Sequence, residues 1–248
     1  MARTVLRFLR SRTKLDELVA SSASRGRVPF DEINGFVEGD LYALKEDCHS
    51  LFRGPQRPGG ALDLSAGALF DLLVGSLFHQ MMKVKESTYQ LERYAPRYAA
   101  LRKSARGPDA IEHREAFLRE GQRIIQRARR GLRQDLHHAV ELFSEATVVL
   151  RHVIRENSGN PLLVRTLLDN LDDVEAVYGA RTLDDLLSEM YDGRPAEGFL
   201  AAAGDLLEGG WYDRARDLCK QALKLEPDNV RAAQLLNRIN AAASAHVN

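Results

Sequence analysis

Between Leu62 and Val153 the apolar residues fall at intervals of seven. Phe70, Leu77, Val84, Leu91 and Tyr98 form one series, with Leu73, Tyr94 and Leu101 three positions further on. After the stretch "SARGPDA" the spacing resumes with Leu118, Ile125, Leu132, Ala139, Ala146 and Val153, joined by Leu136, Phe143 and Leu150. Heptad spacing lays a continuous apolar seam along one side of each helix. The short Gly107-Pro108 turn between the two series makes them antiparallel neighbours. Each arm is expected to run for over about 40 residues, roughly 60–70 Å at the α-helical rise. Pro96 is expected to kink the first arm near its far end. His79, Gln80 and Ser87 interrupt the seam, which predicts a hairpin that leans on other helices.

The remaining chain also reads as helix, with strand signals nearly absent. Asp31–Phe52 carries a helical rhythm at Ile33, Phe36, Val37, Leu41, Leu44, Cys48, Leu51 and Phe52. The run "GPQRPGG" over 54–60 then breaks it. "NSGNP" ends the second arm, and shorter helices follow. Gly179 and Gly193 are read as helix stops, Thr182 with Asp185 as a capping start, and Pro195 as a helix opener. The expected fold class is all-α: a long antiparallel, coiled-coil-like hairpin followed by a helical C-terminal region. The expected divisions are an N-terminal helical segment at 1–53, a linker at 54–60, the hairpin at 61–157, acidic short helices at 158–195 and the C-terminal region at 196–248.

Composition narrows the function classes. Hydrophobic residues are 44% of the chain, charged residues 28%, and the formal net charge is zero. A neutral total supplies no global field to draw nucleic acid, and none is expected as a partner. Only two cysteines occur, Cys48 and Cys219, which predicts a reducing compartment and a cytoplasmic location. No apolar run reaches the roughly 18 residues that a membrane span requires. The opening "MARTVLRFLRSRTK" is interrupted by arginine too often for a signal peptide. It reads as a first helix docked on its neighbours, or as an amphipathic helix in which residues 1–14 touch a membrane surface with Val5, Leu6, Phe8 and Leu9 down. Arginine outnumbers lysine 28 to 7, a bias that suggests a bacterial genome rich in GC.

The stretch "GGWYDRARDLCKQALKLEPDN" (209–229) is the most specific in the chain. Gly210 and Tyr212 stand at a turn, Ala215 and Ala222 at close-packing positions of a helix, and Pro227 at its end. With these residues, 196–229 resembles a tetratricopeptide repeat, a 34-residue helix–turn–helix unit. Cys219 departs from the family, which usually has an aromatic there, and the first helix "AEGFLAAAGDLLEGG" matches less closely. The resemblance implies that Val230–Ala243 is a closing helix. It also implies a concave groove that docks a partner segment, built from Glu197, Leu200, Gly204 and Leu207 with Arg231, Gln234 and Arg238. Leu200 and Gly204 stand where the family's clamp for a terminal carboxylate has lysine and asparagine, so that clamp is not implied. The alternative is that Leu200 and Leu207 pack on an upstream helix and leave no groove. A single repeat needs neighbouring helices to complete its core, and those of 161–192 are expected to supply it.

Three further features carry candidate chemistry. Arg119, Arg123, Arg127 and Arg130, with Arg129 and Arg133 nearby, form a basic face opposed within 119–133 by Glu120 alone. No aromatic residue interleaves that row, and it is read as solvated or self-paired. One candidate cover is the acidic stretch 158–195, where eight carboxylates face three arginines. His137 and His138 near Glu141 and Glu145, and Glu46 before His49, give too few ligands for a metal site. "CHSLFRG" around His49 is similar to a histidine phosphotransfer helix but has Phe52 and Arg53 where that motif has lysine and glycine. No nucleophile elbow and no phosphate-binding loop are present. The chain is therefore expected to be a non-enzymatic interaction adaptor with no cofactor and no metal. The alternatives are a self-assembling homo-oligomeric structural protein and a signalling component using His49.

Overall fold

A computed structural model describes residues 1–25, 27–52, 65–104, 111–178 and 183–247. The 54–60 linker, the Gly107-Pro108 turn, Gly179, Thr182 and Arg53 lie outside the described residues. Among those that are described the fold is all-α, with no strand. The helices are α1 (Ala2–Arg25), α2 (Phe30–Gly35), α3 (Tyr42–Phe52), α4 (Ala66–Ser104), α5 (Ile111–Glu156), α6 (Pro161–Asp169), α7 (Leu171–Tyr178), α8 (Leu183–Met190), α9 (Pro195–Glu208), α10 (Tyr212–Leu225) and α11 (Val230–Val247). A π-helical turn, Phe36–Leu41, joins α2 to α3. No helix among the described residues is long and apolar enough to cross a membrane. The chain divides into two units, one made of Met1–Arg10 with Thr147–Asn248 and the other of Ser11–Ala146.

The Ser11–Ala146 unit contains the hairpin. α4 has 39 residues and α5 has 46, and α4 continues as one helix through Pro96. The arms are antiparallel and in register. Gln80 Nε2 donates to the Asp135 carbonyl at 3.2 Å and to Asp135 Oδ1 at 2.8 Å. Further along, the Tyr98 hydroxyl donates to the Leu118 carbonyl at 2.8 Å. Phe70, Leu77 and Val84 of the heptad series are buried, as are Ile125, Leu132, Leu136, Ala139, Phe143 and Ala146. Gln80 is buried too, so what interrupts the seam in sequence is a satisfied polar tie in the fold.

Helices α2 and α3 cover the near half of α4. Phe52 meets Phe70 edge-on with ring centroids 6.0 Å apart, Tyr42 lies 6.1 Å from Phe78, and Phe30 meets Tyr89 at 5.3 Å. The Phe30 amide donates to Glu92 Oε1 at 2.7 Å. Past that point burial fails: Leu91 is half-buried and Tyr94 is 52% exposed. Ser11 onward of α1 closes on α5, where Arg12 donates to Ser144 Oγ at 3.2 Å and its guanidinium sits 5.9 Å from the Phe143 ring centroid.

In the other unit α9 is the central element. It packs on α10, α6, α8 and α11, and Ala196, Gly198, Phe199, Leu200, Ala202, Ala203 and Leu206 are buried along it. Small residues make this close packing feasible. A Cβ on Gly198 would lie 2.6 Å from Leu187 Cδ2 of α8. Ala215, Cys219 and Ala222 of α10 are fully buried. The α9–α10 turn closes with the Trp211 amide donating to the Leu206 carbonyl at 2.8 Å, and Gly210 takes φ of 77°, a left-handed conformation that glycine tolerates best. Asn160 caps α6 by accepting from the amides of Leu162 and Leu163. Val5, Phe8 and Leu9 of the basic N-terminus are buried, and Arg10 pairs with Asp173 at 3.1 Å.

Candidate functional site

α11 presents Arg231, Gln234, Leu235 and Arg238 at helical spacing toward α9, and the space left between them is a cleft of ≈ 400 Å³. Leu200 and Ala201 of α9 join Leu235 in lining it with apolar groups. Tyr191 and the Ser158–Gly159 turn close its remaining side. Leu200 is only 5% exposed, so it offers an edge rather than a free side chain.

The polar groups are fixed by contacts inside this unit. Glu197 Oε2 accepts from Arg231 Nη1 at 2.6 Å, with Arg231 72% exposed. The Tyr191 hydroxyl donates to the Ser158 carbonyl at 2.7 Å. Burial, with the Glu197 charge second, pushes the Tyr191 phenol up to about 12, so it stands neutral across the ordinary range. Arg238 has no carboxylate partner among the described residues, and Gln234 is exposed. The arrangement therefore offers an apolar floor with one engaged and one unengaged cation above it. Such a cleft can take an apolar side chain beside a carboxylate.

Of the seven groove residues expected from sequence, five line this cleft: Glu197, Leu200, Arg231, Gln234 and Arg238. Gly204 and Leu207 are half-buried further along α9 and do not. Leu235 follows from the α11 spacing and was open to sequence reasoning. Tyr191 and Ser158 come from two turns distant in sequence, and no local pattern marks them.

The other candidates are placed elsewhere. Arg119, Arg123, Arg127 and Arg130 are all exposed on α5. Asp169, Asp173 and Asp192 of the acidic stretch pair with Arg214, Arg10 and Arg155 of their own unit. His49 Nδ1 lies 3.4 Å from Asp71 Oδ2 beside fully buried Cys48. His137 and His138 both reach Glu141, at 3.4 and 3.2 Å. Among the described residues no group of three or more His, Cys, Asp or Glu side chains is placed to hold a metal ion. A second cleft, ≈ 440 Å³, lies between the end of α5 and α8, where Val148, Ile154, Leu186 and Met190 line it beside Arg151 and Glu189.

Comparison with family models, with curated proteins and with solved structures finds no match to this chain.

Proposed function

We propose that the chain is a non-enzymatic adaptor whose α9–α11 cleft docks a short segment of a protein partner. The observation that carries this reading is the cleft itself, an apolar floor of Leu200, Ala201 and Leu235 under exposed Arg231 and the unengaged Arg238. The resemblance of 196–229 to a tetratricopeptide repeat supports it, because the groove face of that family holds peptides. The same chemistry argues for binding over catalysis. Tyr191 donates to the Ser158 carbonyl and Glu197 is occupied by Arg231, so these two groups of the cleft are engaged in holding the fold. The segment it fits is extended or helical, with an apolar side chain next to aspartate or glutamate.

Panning a displayed peptide library on the full-length chain tests this. Enrichment of apolar–acidic peptides that fail to bind a folded Gln234→Glu/Arg238→Glu variant is expected. Enrichment that is indifferent to the variant would rule the cleft out. Both side chains are exposed, so the substitutions leave the core untouched. A self-assembling role has one observation in its favour: Tyr94 and Ile124 of the hairpin are 52% and 41% exposed. Mass that rises steeply with protein concentration and falls on Tyr94→Ser/Ile124→Ser would select that role instead.

A further inference from the structure

The chain is neutral in total but not in place. Residues 93–133 hold twelve lysines and arginines and four carboxylates. The described ones among them gather on the outer part of the hairpin, its distal arm, where Tyr98 of α4 meets Leu118 and Gly121 of α5. On α5, Arg119, Arg123, Arg127, Arg130 and Arg133 are all exposed. Their spacing confines them to about a third of the helix circumference, with four-residue steps of about 6 Å along the axis. That sector lies opposite the buried seam of Ile125, Ala128, Leu132 and Leu136. α4 adds Arg93, Arg97, Arg102 and Lys103, exposed as well.

Ion pairing is sparse on this arm, whereas several arginines elsewhere are held by carboxylates. Arg10, Arg12, Arg155, Arg165, Arg214 and Arg231 each hold a carboxylate at up to 3.1 Å. On the arm only Arg119 and Arg123 touch one among the described residues, both at 3.5 Å and both largely solvated. The other described cations of the arm have no carboxylate partner among those residues. Of the eight carboxylates in 158–195 that sequence alone offered as their cover, Asp169, Asp173 and Asp192 pair with arginines of the other unit.

We infer that the distal hairpin arm binds the phosphodiester backbone of a nucleic acid. A regular file of guanidinium forks matches an evenly charged polymer, and each fork can grip a phosphate through two hydrogen bonds. An acidic protein surface lacks that regular charge spacing. An anionic membrane would favour a broad apolar face beside the cations, whereas the large apolar groups exposed on the described arm are Tyr94 and Ile124. Tyr94 supplies one ring for a base to stack on. The neutral total that argued against such a partner averages over the whole chain, and binding responds to the local field. Binding by this surface is sequence-tolerant and strongly salt-dependent.

Fluorescence anisotropy on the full chain, with a short mixed-sequence duplex RNA, a duplex DNA and a single strand as probes, tests the assignment. Three proteins are compared: wild type, Arg123→Glu/Arg127→Glu/Arg130→Glu, and Arg3→Glu/Arg27→Glu/Arg194→Glu. The last reverses three exposed cations outside the arm and has the same net charge as the arm variant. Wild type is expected to bind, and to weaken by an order of magnitude or more between about 50 and 200 mM salt. The arm variant is expected to lose about tenfold or more, with the other variant close to wild type; circular dichroism verifies the fold. If the glutamates unfold the arm, Arg123→Gln/Arg127→Gln/Arg130→Gln replaces them and the same loss is expected. Equal binding to all three probes identifies backbone charge as the ligand, and preference for duplex RNA identifies the A-form groove. No binding at the lowest salt, equal loss in both variants, or capture by anionic vesicles but not by nucleic acid would overturn the inference.

Discussion

Gly204 and Gly210 lie in one helix–turn–helix, yet they predict opposite responses to alanine. Gly204 sits inside α9, where an added methyl group would meet nothing within 4 Å, so its backbone freedom costs stability for no packing gain. Gly204→Ala is expected to stabilise by about 0.5–1 kcal/mol. Gly210 is equally uncrowded, but its φ of 77° turns α9 into α10. Gly210→Ala is expected to cost about 1–2 kcal/mol through backbone strain alone. Thermal melts of the two variants check both signs. Gln80 makes a third case at this level. It is buried with its amide nitrogen donating twice to Asp135, so Gln80→Leu leaves the half-buried Asp135 carboxylate without that donor between the arms. A loss of about 1–3 kcal/mol in denaturant unfolding is expected.

Between elements, Tyr191 ties the end of α8 to the turn before α6 through the Ser158 carbonyl. Its folded-state value of about 12 stands above the ordinary 10.0, so the neutral phenol contributes stability fully below about pH 10. That contribution is lost as pH rises toward 12. Wild-type urea midpoints should therefore fall more steeply than those of Tyr191→Phe over this window, while the variant starts lower at neutral pH. Parallel slopes would show that the phenol is not held as described. The seam of the hairpin was legible in sequence because a seven-residue repeat leaves little choice of buried face. Its outer half was not, since Leu91 and Tyr94 lie at the limit of the α2 contacts and two helices alone bury only a narrow stripe. The π-helical turn at Phe36–Leu41 escaped for a related reason: Phe36, Val37 and Leu41 fit an α-helical rhythm while the backbone takes in an extra residue. Most of the cleft was readable from the α9 and α11 spacings, and the part supplied by Ser158, Gly159 and Tyr191 was not, because long-range packing brings those turns together.

Over the whole molecule, charge is sorted more sharply than composition reveals. One unit pairs Asp169, Asp173 and Asp192 of its acidic stretch with its own arginines, and at its cleft Arg238 has no carboxylate partner among the described residues. The other unit carries a hairpin arm whose described cations are largely unpaired. On the readings proposed above, that sorting provides two dissimilar docking surfaces, one for a short apolar–acidic segment and one for a polyanion. Docking of the segment comes first of the two, and a charge-swap titration reaches it without intermediaries. A peptide selected on the full chain and its carboxylate-to-lysine counterpart are each titrated against wild type and Arg238→Glu. Arg238→Glu is expected to weaken the acidic peptide by about tenfold, equivalent to about 1.4 kcal/mol, and the lysine peptide is expected to prefer the variant. Affinities that ignore residue 238 for both peptides would contradict docking at this cleft.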